Sequence, residues 1–239
     1  MKNHVAEGSQ RKAAIVAGLG LLLMTVLAIF ANFVVVEGLV VPGDATATVS
    51  NIVDNELLFR AGICCFMLVA ALDVVVAWAL YAFVKQVNKG LSLLMAWFRL
   101  VYAALLGVAV ANLLGALVLL GGASYLTAFE TGQLHAQVAL YANVFSLTWD
   151  IGYVFFGLHL LLLGYLVFRL DYSGYIPKIL GVLISIASLG YLIDSFGKFL
   201  VPNYDANIGM FTFFGELLLM LWLLWGGVRG FGRKLEEQS

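Results

Sequence analysis

Charge is scarce in this chain. Asp, Glu, Lys and Arg make up 11% of its 239 residues, where a soluble domain carries about 25%. That shortage excludes an ordinary solvated surface. Proline occurs three times, at Pro42, Pro177 and Pro202, and cysteine only as the adjacent pair Cys64 and Cys65. Two neighbouring thiols build no disulfide framework and lack the spacing of a zinc site. They read as small buried apolar side chains. The formal net charge is −1, which excludes the basic footprint of a nucleic-acid-binding surface.

What the chain has instead is apolar length. Hydrophobic residues make up 63% of it, and runs long enough to cross a bilayer recur from end to end. The expected fold is all-α: a six-helix transmembrane bundle, with spans at about 13–36, 57–84, 91–120, 145–168, 177–200 and 208–228. These form one membrane-embedded domain over 1–239, with no stretch left for a soluble one. The first run exceeds the roughly 7–15 apolar residues of a signal peptide and reads as an anchor. Pro177 suits the first turn of a helix, and Pro42 and Pro202 fall in loops. Residues 37–56 and 121–136 read as loops. No internal repeat or broken helix is evident.

Loop cations set the orientation. Lys2, Arg11, Lys12, Lys85, Lys89, Arg169, Lys178, Arg229, Arg233 and Lys234 share one side, and the loops of the other side carry none. The positive-inside rule then makes both termini cytoplasmic, in a multi-pass protein of the bacterial cytoplasmic membrane.

The charges inside the spans sort by depth. Asp73 precedes Lys85 by 12 residues, about 18 Å at the helical rise. Arg99 follows Lys89 by 10 and His159 precedes Arg169 by 10, about 15 Å each. Glu216 precedes Arg229 by 13, about 20 Å. These four form a midplane tier and are the ligand or proton-relay candidates. Arg60, Asp150, Asp194 and Lys198 fall near the opposite rim and form an outer-tier polar cluster. Asp194 and Lys198, four apart, can pair within their helix. Unpaired, Asp73, Arg99 and Glu216 would together cost roughly 9 kcal/mol. That rivals a domain's whole stability of about 5–15 kcal/mol. They are therefore expected to meet one another, or a carboxyl carries a proton. Arg99 is expected to take Asp73 first, because a short turn joins their helices, with Glu216 competing for the same planar fork. Glu216 is the candidate for any proton-linked role. On the last span Gly209, Thr212, Glu216, Leu223 and Gly227 line one stripe, and small residues let helices approach closely in lipid.

Longer patterns add a resemblance. FFGLHLLLLGYLVFR at 155–169, Ile176-Pro177-Lys178-Ile179-Leu180-Gly181, Gly190-Tyr191-Leu192, and Gly215-Glu216-Leu217 with Leu221-Trp222-Leu223-Leu224 and Gly227-Val228 stand in order. With WFRLVYA at 97–103 they resemble the bacterial integral membrane protein family catalogued as domain of unknown function 4386, over nearly the whole stretch from Lys12 to Arg229. The resemblance implies a multi-span helical protein. It carries no catalytic role over to any residue, and it does not require a histidine at His159.

The function classes separate on chemistry. A metal or haem needs partners that a single intramembrane His159 does not have, since His4 and His135 lie outside the spans. No metal and no cofactor are expected. A hydrolase needs a nucleophile and a base together, and Ser146, Ser185, Ser188 and Ser195 read as backbone-bonded serines. Midplane Asp73, Arg99 and Glu216 fit a proton- or ion-coupled transporter, but the small size and missing repeats do not. The preferred reading is a small-ligand-binding, sensory or partner-binding membrane protein, with transporter and then membrane-embedded enzyme as alternatives. The expected partners are membrane lipid and a small-molecule ligand or membrane protein.

Overall fold

The computed structural model describes residues 2–122, 124–172 and 175–231, with the side chains of 2–7 and 125 left aside. Arg233 and Lys234 lie outside the described residues, as does the side chain of Lys2. Among the described residues the protein is all-helical, and six helices are long and apolar enough to cross a membrane: Gly8–Leu39, Glu56–Val84, Lys89–Leu120, Thr131–Phe168, Ile176–Leu200 and Ile208–Arg229. They are called here the first to sixth spans.

Three details differ from the expected layout. The stretch 37–56 is not all loop, because Ala45–Asp54 is helical. Asp44 starts that helix by accepting the Ala47 N–H at 2.9 Å, an ordinary N-cap. Thr48, Val49 and Ile52 form its buried side. The fourth span begins at Thr131, well before 145.

The third difference is that two spans are irregular. The first passes through a π-helical segment, Phe30–Val36. There the Glu37 N–H bonds to Asn32 O, five residues back, and Asn32 Nδ2 donates to Glu37 Oε1 at 2.8 Å. The side-chain bond closes over the same five-residue step, so it favours the wider turn. The sixth span breaks at Phe213, between Ile208–Thr212 and Phe214–Arg229. Glu216 N bonds to Phe213 O at 2.9 Å, a tightened three-residue turn. Thr212 Oγ1 reaches the Ile208 and Gly209 carbonyls at 3.2 and 3.3 Å, where hydroxyls bend helices.

The chain divides into two compact units. One takes residues 23–72 and 103–152. Its core includes Phe66, Phe145 and Trp149, with ring centroids 5.2–5.5 Å apart. The other takes the residues up to Leu22, then 73–102, and the described residues from Tyr153 onward. In it Phe83, Tyr172, Trp222 and Phe231 form an aromatic cluster, with Tyr172 stacked on Phe231 at 4.9 Å. Glycine sets how closely its helices approach. A Cβ on Gly181 would stand 2.6 Å from Gly164 O, and one on Gly215 would stand 2.7 Å from Leu183 O. The small-residue stripe of the sixth span therefore serves two neighbours. Gly209 packs on Tyr191 and Asp194 of the fifth span, and Gly227 on Ile15 of the first.

Candidate functional site

All four midplane candidates fall in the second of these units. The second and third spans are joined by the short turn after Val84. Asn88 caps the third span there, its Oδ1 accepting the Leu91 N–H at 3.0 Å. This tight antiparallel pairing sets Asp73 and Arg99 at matching depth. Arg99 Nη2 stands 2.7 Å from Asp73 Oδ1, with side chains 3% and 0% exposed. At that distance, out of solvent, the two charges compensate each other's burial.

A second place on the guanidinium goes to His159, which the depth count does not single out as a partner of Arg99. Arg99 Nη1 lies 3.1 Å from His159 Nε2, and His159 Nδ1 lies 2.9 Å from the Met95 carbonyl. A guanidinium only donates and a carbonyl only accepts. Nδ1 therefore carries the hydrogen, Nε2 offers its lone pair, and His159 is neutral. Phe156 covers the group, its ring centroid 5.5 Å from Arg99 Cζ and 5.9 Å from the imidazole, near-stacked at 27°. The guanidinium is thus fixed by an anion, a neutral acceptor and an aromatic face.

Glu216 sits beside this clamp. The Arg99 charge acts on it, and its hydrogen bond is with Tyr191 of the fifth span. Its Oε1 is closed off from solvent and has no hydrogen-bond partner. Tyr191 continues into a ring stack, parallel to Tyr153 at 5.1 Å and edge-on to Phe156 at 5.4 Å. Tyr102 touches Tyr153 at 6.0 Å and Phe156 at 4.8 Å. These tyrosines do not stand out in the sequence, because aromatic residues in a span read as packing. The clue was their helical register: Tyr153, Phe156 and His159 recur every three residues on one span.

Arg60 pairs with Glu56 at 2.7 Å, and both side chains are about half exposed. Asp150 is buried. The Asp194 carboxylate accepts from Tyr204 Oη at 2.8 Å, Ile208 N at 3.0 Å and Gly209 N at 2.6 Å. It caps the start of the sixth span, where Asn207 makes no side-chain cap. A carboxylate suits those free N–H groups, because they carry the positive end of the helix dipole. Lys198 is exposed at the end of the fifth span.

The four serines bind mostly to backbone. Ser146 and Ser185 bond to Ala142 O and Gly181 O of their own helices. Ser188 Oγ donates to Gly157 O of the fourth span at 2.7 Å. Buried Ser195 Oγ has no partner. Among the described residues no three His, Cys, Asp or Glu side chains come together as a metal site.

Residues 16–227 match the family described as Domain of unknown function (DUF4386). The chain is also similar to an uncharacterized protein of Archaeoglobus fulgidus, 42% identical over 170 residues, covering 71% of this chain and 83% of that one. No solved structure matches it.

Proposed function

The chain belongs to the DUF4386 family, and on that premise we propose that it is a small-ligand-binding, sensory membrane protein whose ligand engages Glu216. One observation carries this reading. Arg99 is already fixed by Asp73 and neutral His159, while Glu216 stands outside the clamp with Oε1 unmatched. A buried acceptor without a donor costs about 1–3 kcal/mol. A ligand that donates to it recovers that cost, and the fixed clamp offers a preorganised wall. We also place the protein in the bacterial cytoplasmic membrane with both termini cytoplasmic, from the one-sided distribution of loop cations.

Native mass spectrometry of the protein, extracted in mild detergent from its own membrane, tests the ligand reading. A non-lipid adduct is expected on the wild type and lost from Glu216→Gln. An adduct retained by that variant, or no non-lipid adduct on either protein, overturns it.

A second reading, a proton-coupled transporter, draws support from the break at Phe213, one turn before Glu216. Interrupted helices mark midplane sites in many transporters. Its test is substrate-driven acidification in proteoliposomes, abolished in Glu216→Gln.

A further inference from the structure

The fourth and fifth spans touch at Gly164 and Gly181, where a side chain would strike backbone. Over that crossing lies an apolar groove of about 520 Å³, which Gly164, Gly181 and Ser185 help to line. Leu161, Tyr165 and Phe168 form one wall, and Val182, Ile186 and Leu189 the other. All six are 40–52% exposed. Such exposure within two spans faces hydrocarbon, so the groove's natural medium is acyl chain.

Its charged end narrows the choice. Lys178 precedes Val182 by one turn and extends that groove-lining stripe, while Arg169 follows Tyr165 just past the end of the fourth span and also lines a second, small pocket with Gln86 and Asp171. Both are exposed, and among the described residues neither has an ion-pair partner. From Lys178 to Leu189 is eleven residues, about 16 Å along the helix. That is half of a hydrocarbon core about 30 Å thick, the depth of one leaflet.

We propose that this groove is a binding site for one anionic phospholipid. An acyl chain lies between Tyr165 and Ile186, and the phosphate rests on Arg169 and Lys178. The apolar walls hold any chain of suitable length. The two cations choose the headgroup, because lipid anions are attracted by each near-surface Lys or Arg.

The protein is reconstituted in vesicles of equal phosphatidylglycerol and phosphatidylcholine with the same chains, then extracted and weighed by native mass spectrometry. One retained phosphatidylglycerol per chain is expected, preferred roughly tenfold or more. Arg169→Gln with Lys178→Gln should retain both lipids equally. Ile186→Trp should fill the groove and retain neither. Val182→Trp repeats that arm should Ile186→Trp not fold, and monodispersity by size exclusion establishes folding. Equal retention of both lipids by the wild type would show annular lipid only and overturn the site. Retention unchanged by the tryptophan variants also overturns it. A dimer in place of the lipid adduct would assign the groove to a second copy instead.

Discussion

Arg99 Nη2 and Asp73 Oδ1 meet at 2.7 Å in a place where their side chains are 3% and 0% exposed. The two residues sit 26 positions apart on antiparallel spans and neutralise each other's burial. Removing one partner strands the other, and the cost of an uncompensated buried charge exceeds the net worth of the pair. Arg99→Ala should therefore lower stability by about 3–5 kcal/mol. Combining it with Asp73→Ala and Glu216→Gln should recover much of that loss. Thermal unfolding in detergent of the single and combined variants measures the difference. A combined variant no more stable than Arg99→Ala would mean that the arginine works by packing alone.

His159 has a narrower task. It must accept from Arg99 and donate to Met95 O. Glutamine can do both through one amide, whereas alanine does neither. His159→Ala should cost about 1–3 kcal/mol and His159→Gln clearly less. The same unfolding assay ranks them, and equal losses would remove the hydrogen-bonding explanation.

Much of this layer was legible beforehand. In an apolar background charges stand out, and the helical rise turns sequence distance into depth. That placed Asp73, Arg99, His159 and Glu216 at one level. It could not say which residue takes the second place on the guanidinium. The choice turns on Met95 O, a backbone acceptor that no side-chain pattern displays. Asp194 shows the same limit. Spacing offers Lys198, four residues on, whereas the N–H groups of Ile208 and Gly209 that bond the carboxylate are invisible as residue types. The helix Ala45–Asp54 was hidden by its brevity, although Asp44 is an ordinary cap residue.

Asp194 should matter through the cap. Asp194→Ala removes the acceptor of three hydrogen bonds and should cost about 0.5–2 kcal/mol, with Asp194→Asn milder. It also holds Tyr204, outside the spans, whose phenol is pushed up from its ordinary value first by its bond to Asp194. A folded-state pKa above the unfolded one means that the native state binds the extra proton. This contribution is therefore whole below the ordinary tyrosine pKa of about 10. It is lost as pH rises through the raised value. Ultraviolet titration should show Tyr204 ionising later in the wild type than in Asp194→Ala. Coincident titrations would refute the coupling.

Glycine positions give a paired test of packing. At Gly181 a Cβ would stand 2.6 Å from Gly164 O, whereas at Gly107 nothing lies within 4 Å. Gly181→Ala should force the fourth and fifth spans apart and destabilise the protein. Gly107→Ala meets open space and gains helix propensity, up to about 1 kcal/mol. Comparing the unfolding midpoints decides whether a close backbone approach or helix propensity alone sets the effect of adding a Cβ to a span.

Orientation has a direct readout. In a background lacking Cys64 and Cys65, single cysteines at Asp44, Glu130 and Asp205 occupy the three connections without a Lys or Arg. All three positions are exposed, so accessibility depends on the side of the membrane and not on burial. An impermeant thiol reagent should label each in intact cells. A cysteine at Lys85, on the cation-bearing side, should react only after permeabilisation. The opposite pattern would reverse the bundle. It would put Arg11, whose Nη2 donates to Val228 O at 2.7 Å and joins the first span to the last, on the outer face. Labelling on both sides at once would mean that the loop cations fix no single orientation.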